Sequence, residues 1–572
     1  MVHSRARKVT DLRADVSGGC QQGQTRASEG SNEHPTGMHF MQPAAQARLM
    51  ASSTPRLALL AGVLLIGGAS GLATLTARTV AHSVLLRCEK GGAFADRALA
   101  AALDEAQLPS RDARLATELT YGVLRNTRSL DFVLSQLTTL ERTRAEDLVS
   151  LRVGAYELLH LRTPDHAAVS EAVDTAKRAG ARRFLNGVLR NVARKRDSLS
   201  ALTAEQDLGV RCSMPDWLLE ELGSTVLPQP ATLDAWAHAN QRTPRVALRV
   251  NPLRVSTDDV LVKLETAGMT VGRVKGLPHA LLLEGGGGDV AKLPGFAEGE
   301  FTVQDPAAQL VGLLAAPGAG DVVLDMCAAP GGKTTHLAEL MRNEGTLLSL
   351  ELHPRKLPLI EASCKRLGLT VAAPRAADAT DTALVRRLLA QLLSDGGDGG
   401  DGGDGGDGGD AEATEACEAG AGSQDGRRTG GGGDADDGRL ADCVVLDAPC
   451  SGFGTLRRNP EHRAKLAKAD VSHLSGLHAL QDRLLDSAAS CVAPGGSLTY
   501  AVCTPLLDEC EERVAAFLAR RPDFTIEPID AAELQPYVHS SSQLGERGCL
   551  RTWTHTHECD SHFAAKMRRR AG

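Results

Sequence analysis

From Phe301 onward, short strand-like apolar runs alternate with helical stretches, and this alternation constrains the fold more than any other feature of the chain. The runs are DVVLDM (321–326), GTLLSLEL (345–352), DCVVLDAP (442–449) and GGSLTYAV (495–502). Such a pattern implies βαβ units and a mainly parallel sheet, an α/β fold. Open sheets of this kind bind ligands outside the carboxyl ends of their strands, so the residues that end each run are the first candidates for chemistry.

A chain of 572 residues has room for more than this domain, expected over 301–572. Residues 77–200 are helical throughout. Leu148, Leu151, Ala155, Leu158 and Leu159 recur at the spacing of one buried helix face, and short breaks at 91–92, Pro164 and Gly180 separate several such segments. A compact all-helical domain is expected, with a basic later part made of Lys177, Arg178, Arg182, Arg183, Arg190, Arg194, Lys195 and Arg196. That run reads either as a solvated face or as a grip on phosphates. Residues 201–300 mix helices, the strand-like VALRVNP (246–252) and Gly-rich turns, a small α/β connector.

Two segments stand outside these domains. Residues 1–76 read as a disordered or targeting leader, polar and aperiodic up to residue 50 and then uncharged from 57 to 75. The uncharged run fits a signal-peptide core, a membrane anchor of barely spanning length, or an extension without a role. The Asp/Gly-rich tract at 394–438 interrupts the sheet as a solvated loop or tether, because its composition buries no core. It carries ten Asp and three Glu against two Arg, a local charge of −11 in a chain whose total is −8. The remainder is therefore at +3 and does not exclude a nucleic-acid partner. Thirteen cysteines, an odd number without a C-x-x-C pair, argue for reduced thiols rather than a disulfide framework or a zinc site. No metal is expected. A reducing destination follows: the cytoplasm if the source is bacterial, otherwise a plastid or mitochondrion reached through the leader.

Three constellations carry chemistry. In VVLDMCAAPGGKTTHLAELM (322–341) a strand ends at Asp325, a Gly/Pro-rich turn follows, and a helix opens near Thr334, which places free backbone N–H groups beside the strand end. A phosphate-binding P-loop is excluded, because Cys327 stands where that motif needs its first glycine. Glu351 ends the second strand where a ribose diol is commonly held, and Asp378 is a similar case; either alone is a weak signal, because strand-end acids are common. In VVLDAPCSGFGTLRRNPE (444–461) a strand delivers Asp447 and Cys450, and in GGSLTYAVCTP (495–505) another delivers Cys503. Either cysteine alone reads as a buried structural thiol, but two at neighbouring strand tips beside a cofactor turn do not.

DMCAAPGGKTTHL, DAPCSGFGTLRRNPE and YAVCT in this order closely resemble the RNA cytosine-5 methyltransferase family of the RsmB/NOP type. YGVLRN and FLNGVLRNVARKR in the helical segment are similar to a NusB-like domain, and LRVNP and VQDPAAQL to the connector that precedes a Rossmann-like S-adenosylmethionine methyltransferase domain. The arrangement is that of the bacterial 16S rRNA methyltransferase B group. The resemblance implies S-adenosyl-L-methionine as cofactor, with Cys327, Ala328, Ala329, Pro330, Gly331, Gly332 and Lys333 at its methionine end. It also implies Glu351 at the ribose, Asp378 on the adenine side and Asp447 near the methyl group and the target base. Cys503 matches the nucleophile and Cys450 the cysteine that assists product release.

The expected chemistry is thiolate addition to C6 of cytosine, which makes C5 nucleophilic enough to take a methyl group. The target base must be unstacked, so single-stranded or flipped-out RNA is the expected partner, held by the basic helical domain of a monomer without stable membrane association. Set against the family, Val502 and Thr504 flank the matched nucleophile where Thr and Ser are usual, the following stretch reads Asp508, Glu509, Cys510 where an Asn is common, and Glu351 replaces the usual Asp. A catalytically inactive RNA-binding assembly factor, or the same chemistry on tRNA or another RNA, remains open at this point.

Overall fold

The computed structural model describes residues 75–285, 288–395, 440–466 and 474–572. Most of the leader and of the Asp/Gly tract, including the uncharged run up to residue 74, therefore lies outside the described residues. Among the described residues no helix is long and apolar enough to cross a membrane.

The first domain is all helical from Ala77, where Thr76 caps the opening helix by accepting from the Thr79 backbone N–H. The helix Ala145–His160 is its centre. Leu151, Ala155 and Leu158 are buried as the spacing predicts, with Leu148 and Leu159 half-buried beside them. The opposite face is buried too, because neighbouring helices surround this one; even Glu157 is inside, held by Arg78 through two hydrogen bonds of 2.8 and 2.7 Å. In the helix Ala179–Arg194 the apolar residues Ala181, Leu185, Val188, Leu189 and Val192 face inward. Lys177, Arg178, Arg182, Arg183, Arg190, Arg194 and Lys195 are exposed, so the basic run is a solvated face of this domain.

The connector is a four-stranded antiparallel sheet of β1 (Val246–Val250), β2 (Val271–Arg273), β3 (Ala280–Leu283) and β4 (Phe301–Val303), in the order β2-β3-β1-β4. β4 pairs with β1, so the connector's sheet extends past the expected boundary at residue 300.

The larger sheet contains β5 (Val322–Asp325), β6 (Thr346–Glu351), β7 (Ala372–Ala376), β8 (Ala441–Asp447), β9 (Val492–Val502), β10 (Phe524–Ile526), β11 (Val538–Ser541), β12 (Gly545–Arg551) and β13 (Phe563–Arg569). Its order is β11-β12-β13-β9-β8-β5-β6-β7, with β10 on β13. The five strands from β7 to β9 are parallel, and β13 joins β9 antiparallel. Helices cover both faces of the parallel part, which is why Val323, Leu324, Leu347, Leu348, Val444 and Val445 are all fully buried.

Arg463, from the short helix Glu461–Leu466, ties the three parts together. Its guanidinium donates to Arg125 O (2.7 Å) in the helical domain and to Cys212 O (3.2 Å), Gln241 Oε1 (2.8 Å) and Asn240 O (2.6 Å) beside the connector. Burial and the neighbouring Arg125 charge pull its pKa down to about 9, still above neutrality. Arg463→Met leaves these acceptors buried without a donor, which costs about 3 kcal/mol even after the relief of a desolvated charge. Urea denaturation should show that loss, and limited proteolysis should show faster cutting between the helical domain and the connector.

Candidate active site

After β5 the chain adds β6 and β7 on one side and β8 and β9 on the other, which leaves a crevice outside the carboxyl ends of β5 and β8. The turn after β5 spans that crevice. Met326 N donates to Val445 O (3.0 Å) on the β8 side and Ala328 N to Leu350 O (2.8 Å) on the β6 side. Cys327, Ala329 and Pro330 are half-buried, whereas Ala328, Gly332 and Lys333 are buried. Gly331, at φ 104°, closes the turn, and a Cβ there would stand 3.1 Å from the Ile360 backbone. The helix opens at Gly332, two residues earlier than the sequence suggests.

Below the turn lie two carboxylates and one lysine. Lys333 Nζ donates to Asp447 Oδ2 at 2.6 Å, joining the first and second constellations. Burial disfavours the Lys333 charge, but Asp447 more than offsets this and holds it above the usual lysine range. Asp325 accepts from Thr334 Oγ1 (2.7 Å) through Oδ2, while its Oδ1 is buried without a partner. Burial pushes the Asp325 carboxyl up to about 6, opposed by the Thr334 hydrogen bond and assisted by the Asp447 charge.

The two strand-tip cysteines meet. Cys450 Sγ lies 3.5 Å from Cys503 Sγ, with Cys450 buried and Cys503 half-buried. The contact with Cys503 and then burial raise the Cys450 pKa well above the ordinary thiol value, and burial does the same to Cys327. Gly454 pins the nearby backbones. Its N–H donates to Cys503 O (2.9 Å), its carbonyl accepts from Ser561 N (3.0 Å), and a Cβ would fall 1.8 Å from Ser561 O. Thr504 accepts from Ser451 Oγ (2.9 Å), and Cys510 Sγ donates to Thr504 O (3.4 Å). Glu509 accepts from Ser451 N (2.8 Å) and Gln481 (3.0 Å), so the unusual residues around Cys503 still brace the two cysteine loops together.

Glu351 stands at the tip of β6, its Oε1 accepting from His353 N and Lys356 Nζ, both at 3.0 Å. Asp378, just past β7, is exposed and turned back on its own loop, accepting from Thr380 N (2.9 Å) and Thr380 Oγ1 (2.7 Å). Lys333, Asp447, Cys450 and Cys503 thus form one cluster, with the turn and Glu351 beside it and Asp378 at its edge.

Several residues support the site through partners far away in the sequence, Arg249 among them unflagged by sequence reading. Arg249 of LRVNP leaves β1 and donates to both oxygens of Glu339 (2.8 Å each), to Gly332 O (2.9 Å) and to Thr335 Oγ1 (2.9 Å). A connector side chain therefore holds the first turn of the helix after β5. Arg457, buried, and Arg458, half-buried, pair with Asp305 and Asp560: Arg457 Nε reaches Asp560 at 3.1 Å, and Arg458 reaches Asp560 at 2.8 Å and Asp305 at 2.5 Å. All of these lie in motifs that stand out in the sequence, but only their long-range partners reveal the role.

Residues 75–194 match the NusB family and residues 214–290 the ferredoxin-like domain of the RsmF/B-like methyltransferases. Residues 312–395 and 422–568 match the 16S rRNA methyltransferase RsmB/F family. The chain is 32% identical over 505 residues to the "Probable ribosomal RNA small subunit methyltransferase B" of Synechocystis sp., covering 86% of this chain and 100% of that protein. It is 32% identical over 425 residues to the "Ribosomal RNA small subunit methyltransferase B" of Citrobacter koseri, covering 73% and 85%. Among solved structures, PH0851 shares the fold with a TM-score of 0.63 at 22% identity, over 86% of this chain and 99% of that one.

The environment of Asp325 has a testable consequence. An unfolded carboxyl titrates near 3.9, so below that pH Asp325 is protonated in both states and burial of its charge costs nothing. Between about 4 and 6 the unfolded chain ionises first, and above about 6 the folded protein bears the full cost, about 3 kcal/mol. Asp325→Asn should therefore raise the melting temperature at pH 8 and have little effect at pH 4, as differential scanning calorimetry would show.

Proposed function

Because the chain belongs to the 16S rRNA methyltransferase RsmB/F family, we propose that this RNA methyltransferase forms 5-methylcytosine in small-subunit rRNA through a covalent bond between Cys503 and C6 of the base. The observation that carries this reading is the pair of thiols 3.5 Å apart, beside the buried Lys333–Asp447 pair. A thiol at Cys503 supplies the nucleophile. Cys450, kept protonated by its surroundings, supplies a hydrogen bond to that sulfur and so eases its departure at the end of the reaction. The inactive-factor reading is disfavoured, because a merely structural site has no use for two facing thiols next to a buried lysine.

S-adenosylmethionine, the methyl donor, supplies an electrophilic methyl group on a sulfonium when bound. The residues suit such a ligand. Asp325 keeps a buried oxygen without a partner beneath the turn, Gly331 keeps the turn narrow, and the acidic Asp325, Asp447 and Glu351 suit a cationic molecule with a ribose diol. Residues 327–333 would hold its methionine end, Glu351 the ribose and Asp378 the adenine side. Asp447, fixed by Lys333, is placed to hydrogen-bond the polar edge of the cytosine as charge builds there. The exposed arginines and lysines of 177–195 supply the sequence-independent grip on phosphates.

Cys503→Ala should lower methyl transfer to RNA on the order of a thousandfold or more while cofactor affinity stays within a few-fold, measured by tritium-labelled methyl incorporation and by calorimetry. Cys450→Ala should instead accumulate methylated RNA bound through Cys503, a slow band on denaturing gels that disappears in the double variant. An adduct in Cys503→Ala and none in Cys450→Ala would exchange the two assignments. Bisulfite sequencing of rRNA with and without the protein would identify the base.

A further inference from the structure

Replacing the C5 hydrogen of cytosine by methyl leaves a proton that some group must accept, and the residues already described are poorly suited to it. Cys450 is held protonated. Asp447 is committed to Lys333 at 2.6 Å, and Glu509 to Ser451 and Gln481. Asp325 is bonded to Thr334, and its other oxygen is sealed in the interior.

His562 is differently placed. It immediately precedes β13, whose Phe563 pairs with Val502, so one step further along the two antiparallel strands His562 stands opposite Cys503. Gly454 fixes this level, bonded on one side to Cys503 O and on the other to Ser561 N. The His562 backbone is held at both ends by Thr552, whose Oγ1 accepts from His562 N (2.8 Å) and whose N donates to His562 O (2.9 Å). The residue is only 8% exposed, yet its Nδ1 has no partner and its ring makes no hydrogen bond among the described residues. The charged groups acting on the ring are Lys333 and Asp447 of the site and Asp305 and Asp560 of the arginine cluster. A buried imidazole without a structural partner, across from the nucleophile, has no packing reason to be a histidine.

We propose that His562 is a catalytic residue, the acceptor of the cytosine C5 proton. The assignment rests on the cytosine-5 reading above. After the Cys503 sulfur has bonded to C6 and C5 has taken the methyl group, the C5–H bond breaks toward an imidazole nitrogen. Its electron pair re-forms the C5–C6 double bond, and the C6–S bond breaks with its electrons on Cys503. The imidazolium then gives its proton to solvent. Burial, and then the Lys333 charge, lower the His562 pKa, so the ring is neutral and has a bare nitrogen at neutral pH.

The experiment uses the full-length protein, RNA carrying tritium at cytosine C5, and a carbon-14 methyl donor. In the wild type one tritium should be released per methyl transferred. His562→Phe, which keeps a ring of similar size, should still attach about one methyl per enzyme but hold it as a covalent adduct that retains its tritium, with release slowed about 100-fold. In His562→Ala, added imidazole should restore release. Tritium release by both variants at the wild-type rate would overturn the proposal. So would a parallel loss of methyl attachment and release with no adduct and no imidazole rescue, the result of a structural role. Methylation by the wild type without tritium release would overturn the cytosine-5 reading itself, and His562 with it.

Discussion

The site depends above all on the buried group formed by Arg457, Arg458, Asp305 and Asp560. Two cations and two anions balance, and the guanidinium nitrogens reach the carboxylates at 2.5–3.1 Å, so the desolvation cost is offset by charge-assisted hydrogen bonds. Three separate segments of the chain contribute its members. Asp305 caps the helix that leaves the connector by accepting from Ala307 N, the arginines follow the Cys450 loop, and Asp560 leads into β13. Asp560 N also donates to Asp305 (3.2 Å), closing the group. With that group in place, Gly454 has one position between Cys503 and Ser561, and the cysteine loops follow.

The connector acts on the same centre from the other side. Arg249 and Glu339 are almost completely buried and bonded at two points, so neither tolerates a change in the other's position. Since Arg249 also holds Gly332 O and Thr335, the first turn of the helix after β5 takes its place from a strand some 80 residues earlier in the chain. Arg463 extends the linkage to the helical domain. The helical domain that bears the basic face is thereby hydrogen-bonded to the segment that follows the Cys450 loop.

The cysteines differ in their surroundings rather than in residue type. Cys443 and Cys549 are buried in strands and Cys491 and Cys510 at helix ends packed on the sheet, and Cys212 is enclosed beside the connector, where burial raises its thiol pKa to about 11. Cys503 is half-buried and faces a second thiol. Cys450 is buried against it, and that contact together with burial raises the Cys450 pKa well above the ordinary thiol value.

The residues at the strand tips, the Gly/Pro turn, the helical first domain and its basic face were all legible in the sequence. Each is written in a local pattern: apolar runs of strand length, a turn beside a helix start, a 3–4 spacing of leucines with arginines between them. Asp378 shows the limit of that reading, because the sequence marks a strand-end acid but not the hydrogen bonds it accepts from Thr380 of its own loop. Tertiary structure alone decided that Lys333 meets Asp447, that Cys450 meets Cys503, that Arg249 reaches the turn, and that His562 stands opposite Cys503. The partners in these contacts are separated by roughly fifty residues or more. Their protonation depends on burial and on neighbouring charge, which exist only once the sheet and its helices have closed around them.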